Sequence, residues 1–266
     1  MSCRILVVGG GSFIARHWLA ITGHSATAIS HDGIAALAGQ RFDVVVNCAV
    51  SPATKSVAYR EADDCDLLAA RHAADTDSHF VMLSTRKVYR PSNVAIVLDE
   101  QSPVGPTCFY GANKLESERR IAALLGERCT ILRVANVYGR EYGRQSFFGI
   151  ATSRLRDEGR IVLDASPYVE RDFLPVTAFA RLLDSICLHR PSGIHALGSG
   201  IGLSLGRIAQ WLIQGHGRGV LEVIDVTERD AFTMNPAKLL RSLGLPRPHY
   251  DLESDIRNIG RLLNDE

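Results

Sequence analysis

Tyr110 and Lys114 stand four residues apart in Phe109-Tyr110-Gly111-Ala112-Asn113-Lys114. On a helix that spacing puts both side chains on one face. A nearby ammonium favours a phenolate, so the pair suits proton exchange at a tyrosine hydroxyl near neutrality. Ser84-Thr85 closes the apolar run His79-Phe80-Val81-Met82-Leu83 and brings a hydroxyl, that of Thr85, able to hydrogen-bond the same substrate oxygen. Beside a nicotinamide, Thr85, Tyr110 and Lys114 suit alcohol–ketone interconversion: a hydride moves to or from carbon while Tyr110 handles the proton on oxygen. Taken alone, the Tyr-to-Lys spacing also fits a capping tyrosine and a surface lysine. The surrounding elements separate the two readings.

The first of those elements is Arg4-Ile5-Leu6-Val7-Val8 running into Gly9-Gly10-Gly11, then Ser12-Phe13-Ile14-Ala15-Arg16. An apolar run, three glycines and an amphipathic run predict strand, tight turn and helix. That order lets backbone approach a pyrophosphate and aims a helix N-terminus at it. Gly9, Gly11, Ser12, Phe13 and Ile14 are therefore expected to hold a dinucleotide. The next short strand, 26–30, ends in Ser30-His31-Asp32, with the acid one or two positions later than an adenosine ribose would need. Ser30 and His31 are expected beside that ribose, and Arg16 could pair with a 2′-phosphate there. Arg16 equally fits a solvated surface arginine. NADP or NAD is the expected cofactor, and the missing acid leans towards NADP. The apolar run 42–50 predicts a buried strand whose end, Asn47-Cys48-Ala49, lines the same edge. Ser84, and Val134 at the end of the predicted strand 129–134, complete the expected cofactor wall.

The totals bound the rest. The chain has 266 residues, 46% of them hydrophobic, and a formal net charge of +1. That supports one large α/β domain with a small appendage and excludes extensive disorder. No global field recruits nucleic acid or an anionic membrane. No apolar run approaches the ~20 residues of a bilayer span. The N-terminus enters its first strand at once, so no export signal is expected and a cytoplasmic location is. Six scattered cysteines without a C-x-x-C pair read as free thiols, Cys108 among them as a small buried one. The nine histidines lack ligand spacing, and no metal is expected. Helices are predicted over 12–22, 60–75, 110–125, 147–158, 175–188, 204–214, 236–243 and 252–263, with strands also over 160–163 and 193–197. The segment 51–59 reads as a loop. The alternation predicts a doubly wound parallel sheet of Rossmann type with a small substrate-binding cap. The core is expected over 1–139 plus 172–198, and the cap over 140–171 plus 199–266.

At this point the chain resembles an extended short-chain dehydrogenase/reductase of the NAD-dependent epimerase/dehydratase family. Val7 to Ala15 resembles its T-G-G-x-G-F-I-G, Asn47-Cys48-Ala49 its N-x-A, and Leu83 to Tyr89 its L-S-S/T-x-x-V-Y. Phe109 to Glu116 resembles P-Y-G-x-S-K-x-x-E, Leu132 to Gly139 resembles L-R-x-x-N-V-Y-G, and Arg171-Asp172-Phe173 resembles R-D-F/Y. The resemblance implies that Thr85, Tyr110 and Lys114 are catalytic, that the substrate is a nucleotide-activated sugar, and that Asn136 and Arg171 contact it. Lys87 is expected at the substrate too. The 4,6-dehydratases carry Asp-Glu after the Ser/Thr, where this chain has Arg86-Lys87, so dehydration is disfavoured. The family asparagine on the helix after the third strand is replaced around Asp63. A 4-keto reductase is expected; an epimerase working through a transient keto intermediate, or a non-catalytic cofactor-binding regulator, are the alternatives. The helices 60–75 and 110–125 are, by family analogy, candidate homodimer faces.

Overall fold

A computed structural model describes residues 2–141 and 143–265. Tyr142 lies outside them. The chain runs β1 (Arg4–Val8), α1 (Phe13–Leu19), β2 (Ser25–Ile29), β3 (Val44–Asn47), α2 (Ala53–Ser56), α3 (Cys65–Asp75), β4 (His79–Thr85) and β5 (Val97–Leu98). It continues through α4 (Phe109–Leu125), β6 (Cys129–Val134), β7 (Asn136–Tyr138), α5 (Phe147–Glu158), β8 (Arg160–Leu163), β9 (Glu170–Pro175) and α6 (Val176–His189). The last elements are β10 (Gly193–Leu197), β11 (Gly202–Ser204), α7 (Leu205–His216), β12 (Val220–Val223), β13 (Thr233–Met234), α8 (Ala237–Ser242) and α9 (Leu252–Leu262).

Six strands form one parallel sheet in the order β10-β6-β4-β3-β1-β2. The apolar runs of β1, β3, β4 and β6 are largely buried on both faces, as helix-covered parallel strands require, whereas the edge strand β2 is exposed or half-buried throughout. The chain winds one way from β1 to β2 and the other way from β3 onward, so a crevice opens at the C-terminal ends of β1 and β3. Register aligns that edge: Val8 lies beside Ile29 and Asn47, and Thr85 beside Val134. The doubly wound reading therefore holds.

A second apolar cluster lies beyond this sheet. Tyr138, Phe148, Leu155, Phe173, Leu212 and Ile256 pack in it, joining α5, α7 and α9 to small sheets of β7, β9 and β11 and of β8 with β12. Leu239, Leu240 and Leu243, around α8, instead join the main sheet's cluster.

Several local expectations are corrected. The predicted helix 60–75 begins only at Cys65, because the Asp64 carboxylate caps it by accepting from Leu67 N at 3.0 Å. The segment 51–59 holds α2, one turn started after Pro52. The predicted helix 12–22 ends at Leu19. Leu68 on α3 and Leu124 on α4 are each 42% exposed. Cys108 is exposed rather than buried. It is the residue preceding α4, at the chain's entry to the helix. The short strands β5, β7, β9, β11, β12 and β13 lie outside the predicted elements; β5, β7, β11 and β13 have only two or three residues, too few for a period-2 signal.

Candidate active site

The glycine turn is shaped by what surrounds it. Gly9 has φ of 81°, and a Cβ there would stand 2.6 Å from Ala49 N; one on Gly10 would stand 2.7 Å from the Ala28 Cβ. The Ile29 carbonyl accepts from both Gly9 N, at 2.7 Å, and Gly10 N, at 3.2 Å. Gly11 differs: a Cβ there would meet nothing within 4 Å. Its bareness keeps open the space over the start of α1. The Ser12 hydroxyl turns inward and caps α1, accepting from Ala15 N at 3.3 Å. It replaces the usual glycine without filling the cradle. The first N–H groups of α1, at Phe13 and Ile14, have no partner one turn back.

One cavity runs over Gly9 to Ser12 to Ser30, His31, Cys48 and Ala49. A second continues past Ser12, Phe13, Ile14, Asn47, Cys48, Ser84, Thr85, Tyr110, Lys114 and Val134. The structure thus brings together every residue expected at the cofactor except Arg16, which is exposed on α1 and is not among the lining residues. Two members are engaged within the protein. Asn47 donates to Ala49 O at 3.1 Å, accepts from Ala49 N at 3.0 Å and donates to Asp66 at 2.7 Å. The Ser84 hydroxyl donates to Glu118 at 2.5 Å, and Glu118 is paired with Arg133 at 2.7 Å. Burial pushes the Cys48 thiol up to about 12, so it lines the cavity as a neutral apolar group.

Tyr110 opens α4. A Cβ on Gly111 would strike the Lys87 carbonyl, so glycine lets the helix start close against the turn that follows Thr85. Thr85 Oγ1 accepts from Lys87 N at 3.2 Å, which fixes its rotamer at the cavity floor. Lys114 is 2% exposed; its ammonium donates to Asp66 at 2.6 Å and to Leu83 O at 2.9 Å. Burial opposes its charge, but the Asp66 carboxylate outweighs that and holds the ammonium above its ordinary range. Asp63, around which the family asparagine is expected to be replaced, does not reach Lys114: it pairs with Arg60 at the surface, 2.6 Å away.

A third cavity shares Thr85, Tyr110 and Val134 and extends over Lys87, Asn136 and Arg171. Asn136 donates to Asp172 O at 3.1 Å. Asp172 is fully buried and accepts from Ser199 N and Oγ, Gly200 N and Met234 N at 2.8–3.0 Å. This pins β9 and turns the adjacent Arg171 to the opposite face. Arg171 donates to the carbonyls of Arg229 and Asp230 at 3.1 and 3.2 Å. Arg86 forms a two-point pair with Asp230 and stacks 4.4 Å from the Phe232 ring centre; Lys87 Nζ is 3.9 Å from Asp230. Sequence reasoning missed Asp230, Lys55 and Arg144. Lys55 stands 5.9 Å from the Tyr110 ring centre, and Arg144 lies 4.6 Å over the Phe13 ring; both line the two adjoining cavities. Each lies in an irregular or single-turn segment, where no sequence period marks it.

The glycine turn, the α1 N-terminus and the Thr85-Tyr110-Lys114 wall fit a nicotinamide dinucleotide. Together with the sheet order they define an extended short-chain dehydrogenase/reductase. Residues 16–165, more than half of the chain, match the family model described as the RmlD substrate binding domain, and the chain belongs to that family. Solved structures of the same fold include the UDP-N-acetylglucosamine 4-epimerase of Methanobrevibacter ruminantium, in complex with UDP-N-acetylmuramic acid (15% identity, 100% of this chain and 99% of that one, TM-score 0.83). The UDP-glucose 4-epimerase of Thermus thermophilus, with NAD, is 18% identical over 98% and 99% of the chains, at a TM-score of 0.81. RMD of Pseudomonas aeruginosa, with NADPH, is 19% identical over 100% and 98%, at 0.80.

Proposed function

We propose that this chain is an NAD(P)-dependent reductase of a 4-keto nucleotide sugar. The observation that carries the reading is the shared wall: Thr85, Tyr110 and Val134 belong at once to the cavity over the glycine turn and to the cleft with Lys87, Asn136 and Arg171. The nicotinamide, when bound, supplies or takes the hydride. Tyr110 delivers the proton to the carbonyl oxygen, Thr85 holds that oxygen, and Lys114 stabilises the phenolate left behind. Asn136 and the fork of Arg171 suit a sugar diphosphate. Arg86 and Lys87, in place of an acid and a base, weigh against dehydration. Asp32, which follows His31, is exposed and lies 3.2 Å from the His31 ring; it is not among the residues lining the cavity beside Ser30 and His31, which favours NADP. We assign 1–139 plus 172–198 to the cofactor core and 140–171 plus 199–266 to the cap, with α8 serving the core. The exposed Leu68 and Leu124, on α3 and α4, mark the face we assign to a homodimer.

An epimerase is the second reading. It uses the same wall, and the 4-epimerase neighbours are covered almost end to end, so chain length does not argue against it. The test is turnover of 4-keto nucleotide sugars by the purified chain, followed by NAD(P)H absorbance. Consumption of added NADPH, with none co-purifying, supports the reductase. A tightly held NAD that co-purifies and is not consumed supports the epimerase. No turnover of any nucleotide sugar, with Tyr110→Phe indistinguishable from wild type, overturns both and leaves a cofactor-binding regulator.

A further inference from the structure

Asp66 belongs to none of the sequence motifs above. It sits in the first turn of α3, 4% exposed, with both carboxylate oxygens engaged. One accepts from Lys114 Nζ at 2.6 Å, the other from Asn47 Nδ2 at 2.7 Å. Asn47 in turn grips Ala49 at both its N–H and its carbonyl, and Ala49 is the residue against which Gly9 is packed. The carboxylate therefore ties the glycine turn to the lysine of the catalytic wall. An ammonium has three donors. Asp66 and Leu83 O take two, which leaves one to point into the cavity that Lys114 lines.

We propose that Asp66 is the counter-ion and positioning residue of Lys114: it keeps the buried amine an ammonium and aims its remaining N–H at the cavity. This rests on the reading that Lys114 works beside Tyr110. A primary amine taken out of water gives up its proton unless a carboxylate compensates it. The other titratable groups facing it are Tyr110 on its own helix, Asp64 and Cys65 at the start of α3, and Cys48 after β3. Asp64 is engaged elsewhere, accepting from the Tyr59 and Ser117 hydroxyls at 2.9 and 2.8 Å. The thiols of Cys48 and Cys65 are pushed up by burial and carry no charge at neutral pH. Among the described residues, Asp66 is the carboxylate in contact with the amine.

The test needs neither cofactor nor substrate. Lys55, Lys87, Lys114 and Lys238 are the chain's four lysines, so a protein labelled with 13Cε-lysine gives a spectrum simple enough to assign, with Lys114 identified by its loss in Lys114→Met. In the wild type, Lys114 is expected to keep its proton above the ordinary lysine range. In Asp66→Asn its midpoint is expected to fall by about 2 pH units or more, and Asp66→Glu is expected to restore most of the difference. NADPH or NADH affinity of Asp66→Asn should then weaken as pH rises through that new midpoint, while wild type stays level. A Lys114 midpoint unchanged in Asp66→Asn overturns the proposal. So does a wild-type Lys114 that titrates below the other three, which decides the matter even where Asp66→Asn does not fold. If the wild type binds neither cofactor, the functional reading fails, while the titration still decides whether Asp66 sets the charge of Lys114.

Discussion

The active-site cleft contains two cation–carboxylate centres built in opposite ways. Lys114–Asp66 joins neighbouring helices that cover one sheet, with side chains 2% and 6% exposed. Arg86–Asp230 joins the turn after β4 to a residue 144 positions later, held at a positive φ of 63° and 21% exposed. The first belongs to a frame that the sheet's own register aligns. The second is assembled from separate loops, so it depends on the segment around Asp230 being in place. On the function proposed above, the difference separates two tasks of the cleft: the sheet edge would carry the chemistry, and the Arg86–Asp230 contact would shape what reaches it.

The sharpest test of that division is at the sheet edge. Tyr110→Phe removes the proposed proton donor and little else. It should lower kcat by about 10³-fold or more, with cofactor affinity kept within about twofold, by single-turnover rates and by fluorescence titration of NADPH. A loss of both together would mean that Tyr110 holds the cofactor rather than the proton.

The glycine turn tests the same frame for stability. Gly9→Ala forces a side chain into left-handed backbone and against Ala49 N. It should destabilise the fold by about 3 kcal/mol. Gly11→Ala meets open space and should stay within about 0.5 kcal/mol of wild type while weakening cofactor binding. Denaturant melts with and without NADPH read both effects. Equal destabilisation by the two would remove the distinction between a packed glycine and one kept bare for a ligand.

This contrast also shows where sequence was sufficient. The strand–glycine–helix order, the Tyr110-to-Lys114 spacing and the sheet-edge position of Thr85 are local patterns, and the structure places them as expected. Asp66 and Asp230 are not local. Asp66 follows a capping Asp64 that starts the helix at Cys65 rather than near residue 60, which hid its facing to Lys114. Asp230 lies in a loop whose position is set by its contact with Arg86 across the fold. Neither has a spacing that composition or periodicity could mark.

The Arg86–Asp230 centre should respond in the other sense from Tyr110. Asp230→Asn leaves a nine-tenths buried guanidinium without its carboxylate, at a cost of about 2 kcal/mol. It should raise the substrate KM while leaving cofactor affinity unchanged. Burial works against the Asp230 charge, but Arg86, Lys87 and Arg171 outweigh it and hold the carboxyl below its ordinary range. Its contribution is therefore fully present above the unfolded-state pKa of about 3.9 and is lost as pH falls through the lower folded value. Thermal melts should show a steeper decline below about pH 4 in wild type than in Asp230→Asn. Parallel curves would make the pair incidental to the cap.

The smallest effect expected is at the outer end of the cofactor cavity. Arg16 stands exposed on α1, away from the residues lining the turn, while Ser30 and His31 occupy the tip of β2. Arg16→Ala should therefore weaken NADPH by only a fewfold, about the 0.2–1 kcal/mol of an exposed ion pair, and leave NADH unchanged. An unaltered NADPH-to-NADH ratio would move the source of any preference to the Ser30-His31-Asp32 tip, where the Asp32 carboxylate is 3.2 Å from the His31 ring. A tenfold loss would instead show that the helix surface, and not only the sheet edge, takes part in reading the cofactor.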